Sequence, residues 1–555
     1  MEDLILAKDD IWKIDLDYYG ENNVASFFNS DGMIHPYPAK AVPEVVNSLL
    51  LKISELINVK TVLDPFVGSG TVALESKYLG FDFYGSDLNP LSVLISKTKS
   101  LTVRNPQYVE KQLSKFTSEL LELYSPNNIN CFTILENISY WFKEENIKQL
   151  HYIKNNINAF LKRSTSKYKE TYALILLTAF SSTIRISSLT RNGEFKLYRM
   201  SPSDIKKHDI NAVVLFQSKV QKLLNMLEHA NDALKTDSLT QIFLRNAKDI
   251  SYLDNKKVDV ILTSPPYGDS QSTVAYGEFS RLSLQWMSDL LSKYLNINVY
   301  SNNCDQFLLG GKKSKINIDV ETLVNNSQTL SMLIDQMHQV VKIEIENLEN
   351  ALFDLFVILE QLEHGIKVEI KNEILLKLIQ ERVRLDVYRR VNEKGIFTNK
   401  KTKGISKSAA INFISDLFNS NTKRRYRRIN QLKIKLFFVR ITLIRKIKAQ
   451  PRRIKEVTDF FRDLYQVVIE TDRVLVNGGV QAWIVGHRTV LGKVNINLVG
   501  ILENWFESLG YTKITTLERQ YSFKRLPHHI NSTVTRYDEI KTMMQEHILV
   551  VTKIK

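Results

Sequence analysis

A chain of 555 residues with 44% hydrophobic content exceeds one ordinary domain and can bury a sizeable core, so two or three folding units are expected. Two cysteines, Cys131 and Cys304, exclude a disulfide framework and a cysteine-rich zinc site, and no metal site is expected. The net charge of +15 is local: residues 381–460 hold 23 Lys and Arg against 6 Asp and Glu, a balance of +17, which leaves −2 for the rest.

Such a concentrated patch, including KRRYRR (423–428) and RKIKAQPRR (445–453), suits a polyanion, above all nucleic acid. A solvated helix face is the alternative, but it ordinarily carries interspersed acids. The opening MEDLILAKDD lacks a basic head before its apolar run, and YALILLTAF is too short to cross a bilayer. A cytoplasmic protein without membrane contact is expected, nucleoid-associated when bound to DNA.

In chain order, HPYPAKAVPEVVNSLLLKISELI reads as prolines leading into a helix near Val42. KTVLDPF reads as a strand, VGSGT as a glycine turn, VALESKYL as a helix stopped by Gly80, and FDFYGSD as a second strand, which makes a βαβ unit. LNPLSVLISKTK is a further helix, with Pro90 at its start. Residues 101–240 are helical throughout, an inserted block. Strand character returns in QIFLRNAKDI and VDVILTSPPY.

Residues 320–364 carry a heptad with Ile334, Val341, Leu348, Leu355 and Leu362 at one seam position, Ile345, Leu352 and Leu359 at the other, and His338 interrupting. Gly365 should end that helix, and residues 370–392 could fold back on it; an intermolecular coiled coil is the competing reading. The last hundred residues alternate again: VQAWIVGH as a strand, an amphipathic helix around Trp505 closed by Gly510, then KITTLERQY and EHILVVTK as strands. The division expected is 1–100 and 241–294 as the two halves of an α/β core, 456–555 completing it, and helical insertions at 101–240 and 295–455. There are no repeats and no low-complexity segment.

The chemistry concentrates at strand ends. A strand feeding a glycine turn and a helix offers backbone N–H groups, and Gly68 and Gly70 let a ligand approach the main chain. Asp64 beside that turn disfavours a pyrophosphate and favours a cation such as an α-ammonium. Asp87, ending the next strand, can accept both hydroxyls of a ribose. Ammonium plus ribose fits S-adenosylmethionine better than a dinucleotide. At the end of the later strand, Pro265 and Pro266 leave carbonyls that only accept hydrogen bonds, Ser264 adds an accepting hydroxyl, and Tyr267 a flat face for a base. This set can hold an exocyclic amine and turn its lone pair toward an electrophilic methyl.

With these motifs the sequence resembles the amino-group DNA methyltransferases of bacterial restriction-modification systems. DPFVGSGT is similar to their cofactor motif, SPPY to their catalytic motif, and HPYPAK to the segment that closes over the methionine part of the cofactor. The resemblance covers about residues 30–100, 240–290 and 465–555. It implies an α/β, Rossmann-like class I S-adenosylmethionine-dependent methyltransferase core with two large helical insertions. By resemblance Asp64, with Phe66, Gly68, Gly70 and Thr71, binds the cofactor methionine side, Asp87 the ribose and Asp249 the adenine, while His35 and Lys40 frame the pocket. For Asp249 a turn cap, and for His35 and Lys40 packing of a proline-rich segment, are the plain alternatives.

Serine before PPY is typical of cytosine-N4 enzymes, whereas adenine-N6 enzymes usually carry Asp or Asn there. Ser264 thus implies N4-methylcytosine by direct transfer, with Pro265, Pro266 and Tyr267 orienting the base. The substrate implied is double-stranded DNA with its target base flipped out. A separate cognate restriction endonuclease is a candidate partner in host-DNA protection. The loop GDSQSTVAYGEFSRLS after SPPY should order on substrate, and Tyr276 and Arg281 either reach phosphate or base or anchor that loop. Lys423, Arg424, Arg425, Arg427 and Arg428 are the densest candidate phosphate contacts, with Tyr426 stacking or packing among them. Adenine-N6 transfer, an RNA methyltransferase and a non-enzymatic DNA-binding protein are the competing readings. A fused nuclease would rest only on EIK (369–371).

Overall fold

The computed structural model describes residues 35, 37, 41–125, 137–191, 196–234, 237–266, 276–299, 304–313, 316–364, 370–379, 422–486, 488–520, 529–531, 539–541 and 545–554. Helix α1 (Pro43–Leu56) begins on a proline, whose missing N–H is unused in a first turn, and buries Val45, Val46, Leu49, Leu50 and Ile53. Strand β1 (Thr61–Asp64), α2 (Thr71–Leu79), β2 (Asp82–Asp87) and α3 (Pro90–Lys99) follow in the order the sequence predicts. Asn89 caps α3, its side chain accepting from Leu91 N at 3.1 Å with Pro90 behind it.

Next come α4 (Pro106–Glu122), α5 (Ile138–Trp141), α6 (Glu144–Arg163), α7 (Ser166–Ser187), α8 (Pro202–Lys207) and α9 (Ala212–Ala233). Strands β3 (Thr240–Leu244) and β4 (Val258–Thr263) lead to α10 (Tyr276–Leu295). Beyond α11 (Val320–Asn325), α12 (Gln328–Glu363) and α13 (Thr422–Val474), the chain closes with β5 (Leu475–Gly486), β6 (Arg488–Val490), β7 (Val494–Ile496), α14 (Leu498–Ser508), β8 (Tyr511–Gln520), β9 (His529–Asn531), β10 (Glu539–Lys541) and β11 (Gln545–Lys553).

Seven strands form the central sheet in the order β3-β2-β1-β4-β5-β11-β8. The first five pair in parallel, and β11 runs antiparallel to both β5 and β8. The sheet therefore grows one way from β1 to β3 and the other way from β4, so β1 and β4 flank the strand-order reversal where open α/β sheets bind ligands. Their register is pinned at the opposite end by Asp259, whose Oδ2 accepts from Lys60 N, Thr61 N and Thr61 Oγ1, each at 2.9 Å. This fold is the Rossmann-like α/β core that the motifs imply.

The helices between residues 101 and 240 do not stand apart. Val109, Leu113, Leu150, Ile153, Leu174, Leu177 and Phe216 belong to the same core cluster as Val62, Val260 and Ala482 of the sheet. Helix α7 is buried over most of its circumference, from Tyr172 to Arg185, and packs against α3, α9 and α10. A helix buried all round belongs inside a core.

The chain divides into two compact units. The first takes the described residues up to Ser331, Val457–Thr489 and those from Asn495 on; the second is Met332–Glu456 with Val490–Val494. In the second, the heptad pairs within the chain: Leu348, Leu355 and Leu362 pack with Leu432, Leu436, Val439 and Leu443 of α13, and with Leu375, Leu378 and Ile379. The second seam position is corrected to Ala351 and Ile358, with Leu352 and Leu359 only half-buried, because the segment faces two neighbours rather than one. Helix α13 is unbroken for 53 residues with Pro451 inside it. Gly365 and residues 380–392 lie outside the described residues.

One buried group makes stability pH-dependent. Glu75 on α2 is 1% exposed, and burial raises its pKa to about 7. Oε2 accepts from Asn47 Nδ2 at 2.7 Å, and Oε1 has no partner among the described residues. Since the folded value is raised, the stabilising contribution is complete below the unfolded value near 4.5 and is lost as pH rises through about 7. Glu75→Gln is expected to flatten the melting temperature between about pH 5 and 8 and to stabilise the protein at pH 8 by about 1–3 kcal/mol, measured by thermal denaturation.

Candidate active site at the strand-order reversal

The C-terminal ends of β1 and β4 lie side by side, with Leu63 opposite Ile261. The next residue of β1 is Asp64, 3% exposed, and two residues on in β4 is Thr263, fully buried. Thr263 Oγ1 donates to Asp64 Oδ1 at 2.6 Å, and Phe66 N donates to the same oxygen at 2.9 Å. Burial raises the Asp64 pKa to about 7 against these two hydrogen bonds. Both bonds fall on Oδ1, and among the described residues no hydrogen bond is recorded to Oδ2. A cationic ligand would restore the ionised state that burial disfavours.

The glycine turn follows at once. Gly68 and Gly70 have φ of +53° and +83°, and Gly70 N donates to Val67 O at 2.9 Å. A Cβ on Gly70 would stand 2.7 Å from Ser96 Cβ, so α2 and α3 require glycine there, whereas one on Gly68 would meet only Phe66 O at 3.7 Å. The open side at Gly68 suits the close approach of a ligand. Gly68 N donates to Asp87 Oδ2 at 2.9 Å and Asn89 N to Oδ1 at 2.8 Å, so β2 and the turn are locked through one carboxylate. Burial raises the Asp87 pKa despite these bonds. Hydrogen bonds from Ser92 and the Leu88 main chain also reach this carboxylate. Thr71 is the first residue of α2 and is buried; Phe66 is half-buried on the turn.

Beyond Thr263 the chain continues as half-buried Ser264, buried Pro265 and half-buried Pro266. Thus the acid proposed for the donor and the hydroxyl proposed for the acceptor are joined through Thr263. Tyr267, the loop after it and Lys40 lie outside the described residues, and so do the side chains of Lys423, Arg424, Arg425, Arg427 and Arg428 in the first turns of α13.

Other expected residues are distributed less simply. His35 is buried against α7, with Nε2 at 2.7 Å from Ser181 Oγ and its ring edge-on to Phe279. It is Tyr37 that reaches the start of α3: its hydroxyl accepts from Asn89 Nδ2 at 3.1 Å and its ring lies 6.1 Å from that of Tyr276. Asn89 Nδ2 also donates to Ser280 Oγ at 2.7 Å, tying α3 to the first turn of α10. Tyr276 therefore anchors that turn, and Arg281 is half-buried within charge reach of Asp305. Asp305 Oδ1 in turn accepts from Gly277 N at 2.7 Å.

Asp249 is not brought to this cluster. Its carboxylate accepts from Ser251 N at 3.2 Å, and it lines a separate open depression with Lys248, Ser251, Glu470 and Arg473. The Ser251 bonds and the charges of Arg245 and Arg473 hold its pKa below the usual value. This is the turn cap. Two residues past the end of β3 is Asn246, whose Nδ2 donates to Phe307 O at 3.3 Å. Arg245 N donates to Asp87 O at 3.1 Å, which sets Asn246 next along the edge from Asp87. Sequence reasoning missed Thr263, Tyr37 and Asn246; the only signal for the last was its position two residues beyond the strand.

Thr263→Val keeps the shape of the side chain and removes the hydroxyl. It is expected to weaken S-adenosylmethionine binding about tenfold and to raise the Asp64 pKa further, measured by calorimetry across pH.

The fold and the strand-end motifs define a class I methyltransferase core. Residues 47–318 match the family model described as D12 class N6 adenine-specific DNA methyltransferase, and over that core the resemblance to the amino-group DNA methyltransferases holds. The chain is 36% identical over 296 residues to type II methyltransferase M.MvaI of Kocuria varians, covering 51% of this chain and 62% of that protein. It is 27% identical over 236 residues to type II methyltransferase M.BsoBI of Geobacillus stearothermophilus, covering 37% of this chain and 43% of that one. The chain thus spans less than two thirds of the length of these relatives. No solved structure matches it. Among the described residues no helix is long and apolar enough to cross a membrane.

Proposed function

We propose that the protein is an S-adenosylmethionine-dependent DNA methyltransferase of a restriction-modification system, acting on an exocyclic amine of a base in duplex DNA. The observation that carries the reading is the junction of Asp64, Thr263 and Ser264 at the strand-order reversal. Bound there, S-adenosylmethionine supplies an electrophilic methyl. Asp64 Oδ2 takes the α-ammonium, Gly68 gives the main chain close access, and Asp87 accepts the ribose hydroxyls. Asn246 takes the adenine in this reading, in place of Asp249.

On the acceptor side Ser264 and the Pro265 carbonyl accept the two amine hydrogens, and Tyr267 stacks on the flipped base. The amine lone pair then points at the methyl, and no covalent enzyme intermediate is needed. Ser264 supports cytosine N4 as the acceptor. The description of the matching family supports a second reading, adenine N6. The basic segment at residues 381–460 and duplex DNA are the surface and partner of this reading, because flipping a base costs a few kcal/mol that phosphate contacts must offset.

The test is transfer of isotopic label from S-adenosylmethionine to unmethylated bacterial DNA and, separately, to total RNA. Label in DNA alone is expected. Label in RNA alone would make the protein an RNA methyltransferase, and binding of DNA without any transfer or donor binding would make it a non-enzymatic DNA-binding protein.

A further inference from the structure

We propose that residues 189–191 and 196–200, in the first helical block, form a contact surface for the phosphate backbone of duplex DNA beside the target base. The inference rests on the reading of the protein as a DNA methyltransferase and adds a surface outside the basic segment of residues 381–460.

The strand pair is small and firmly rooted. Met200 N donates to Leu189 O at 2.8 Å, Arg191 N to Tyr198 O at 2.9 Å, and Thr190 bridges Arg199 in antiparallel fashion. Leu189 and Thr190 are buried. Leu189 N also donates to Trp141 O at 2.7 Å, and Leu197 N to Glu278 Oε2 at 3.3 Å. The second tie places the pair against the first turn of α10, the helix that begins ten residues after Pro266. A surface fixed there is tied to the start of α10.

Beneath the pair the last turn of α7 makes the same connection from inside. The Arg185 guanidinium lies 3.9 Å above the Phe279 ring, and Nη1 donates to Phe279 O at 3.4 Å. Burial lowers the Arg185 pKa to about 10, so it stays cationic at neutral pH. Stacking on an aromatic face offsets part of the cost of holding that charge away from water.

The outward side has the chemistry of a nucleic-acid contact. Arg191 is exposed, Tyr140 and Tyr198 are 48% and 49% exposed, and the Arg199 guanidinium lies 4.4 Å from the Tyr140 ring. From Arg185 to Lys207 the sequence holds six Lys and Arg against Glu194 and Asp204. Cations on a rigid support tied to the first turn of α10 suit the phosphates that flank a flipped nucleotide. A pair serving only as packing would gain nothing from two half-exposed tyrosines and an outward arginine.

The test is duplex binding by fluorescence anisotropy between about 50 and 200 mM salt, for the wild-type full chain and the Arg191→Ala, Lys196→Ala double variant. The variant is expected to bind about tenfold more weakly, with the slope of log K against log salt reduced by about 1–2, and with S-adenosylmethionine affinity and melting temperature unchanged. Wild-type affinity and slope in the variant would overturn the proposal. So would a loss shared equally by donor affinity and melting temperature, which would make the pair structural. If the wild-type protein bound no duplex at all, the methyltransferase reading itself would fail, a result distinct from all of these.

Discussion

Asp64→Asn is expected to weaken S-adenosylmethionine binding about a hundredfold, since a charge-assisted hydrogen bond contributes about 1.5–3 kcal/mol, while turnover at saturating donor falls much less. The substitution keeps the acceptor for Thr263 and Phe66 at Oδ1 and removes the negative charge that faces the ligand. The pH dependence gives a second and sharper signature. Burial raises the Asp64 pKa to about 7, so below that pH the free protein holds a proton that a cationic ligand must displace. Donor affinity in the wild type is expected to fall about tenfold per pH unit below 7, with a proton released on binding, and to level off above it. In Asp64→Asn that dependence should vanish. Calorimetry at several pH values in buffers of different ionisation heat measures both. A wild-type affinity that is flat from pH 6 to 8 would remove Asp64 from the donor site.

Ser264→Ala is expected to do the reverse. Removing one of the groups that orient the reacting amine should lower kcat about a hundredfold, by analogy with deletion of one positioned hydrogen-bonding group at a reacting centre. Donor affinity should change by less than about twofold, because Asp64 and the glycine turn are untouched. Single-turnover transfer with saturating donor separates the two quantities. An equal loss of kcat and donor affinity would mean that Ser264 supports the strand end rather than the acceptor.

What the sequence made legible was local. The strand ending at Asp64, the turn through Gly68 and Gly70, the strand ending at Asp87 and the SPPY turn are each an apolar run stopped by residues with their own backbone preferences. The two strands and the glycine turn stand in the structure where the pattern puts them, and the SPPY run is described as far as Pro266. The Thr263 to Asp64 bond joins residues 199 apart, and nothing in either segment announces the other. Asp249 drew attention as an acid near a strand end, yet β3 stops at Leu244 and the chain has already turned away, leaving the smaller signal of Asn246 at the edge.

Longer-range organisation was harder to read for similar reasons. The helices after residue 101 look like an insertion because they interrupt the strand pattern, but α7 carries apolar residues on every side and is drawn into the main core. The heptad of α12 showed that a helix would pair, not with which neighbours, and two neighbours shift its second seam by one position. Pro451 argues for a break that α13 does not make. The strand pair at residues 189–191 and 196–200 had no sequence signature, because two rungs of main-chain hydrogen bonds hold it and tertiary ties position it.

The most direct measurement is the identity of the methylated nucleoside. DNA labelled by the protein from S-adenosylmethionine is digested and its nucleosides separated by mass spectrometry. N4-methylcytosine is the product that the proposed role of Ser264 predicts. N6-methyladenine would contradict the assignment of the base while leaving the donor site intact, and an unlabelled DNA pool would contradict the account as a whole.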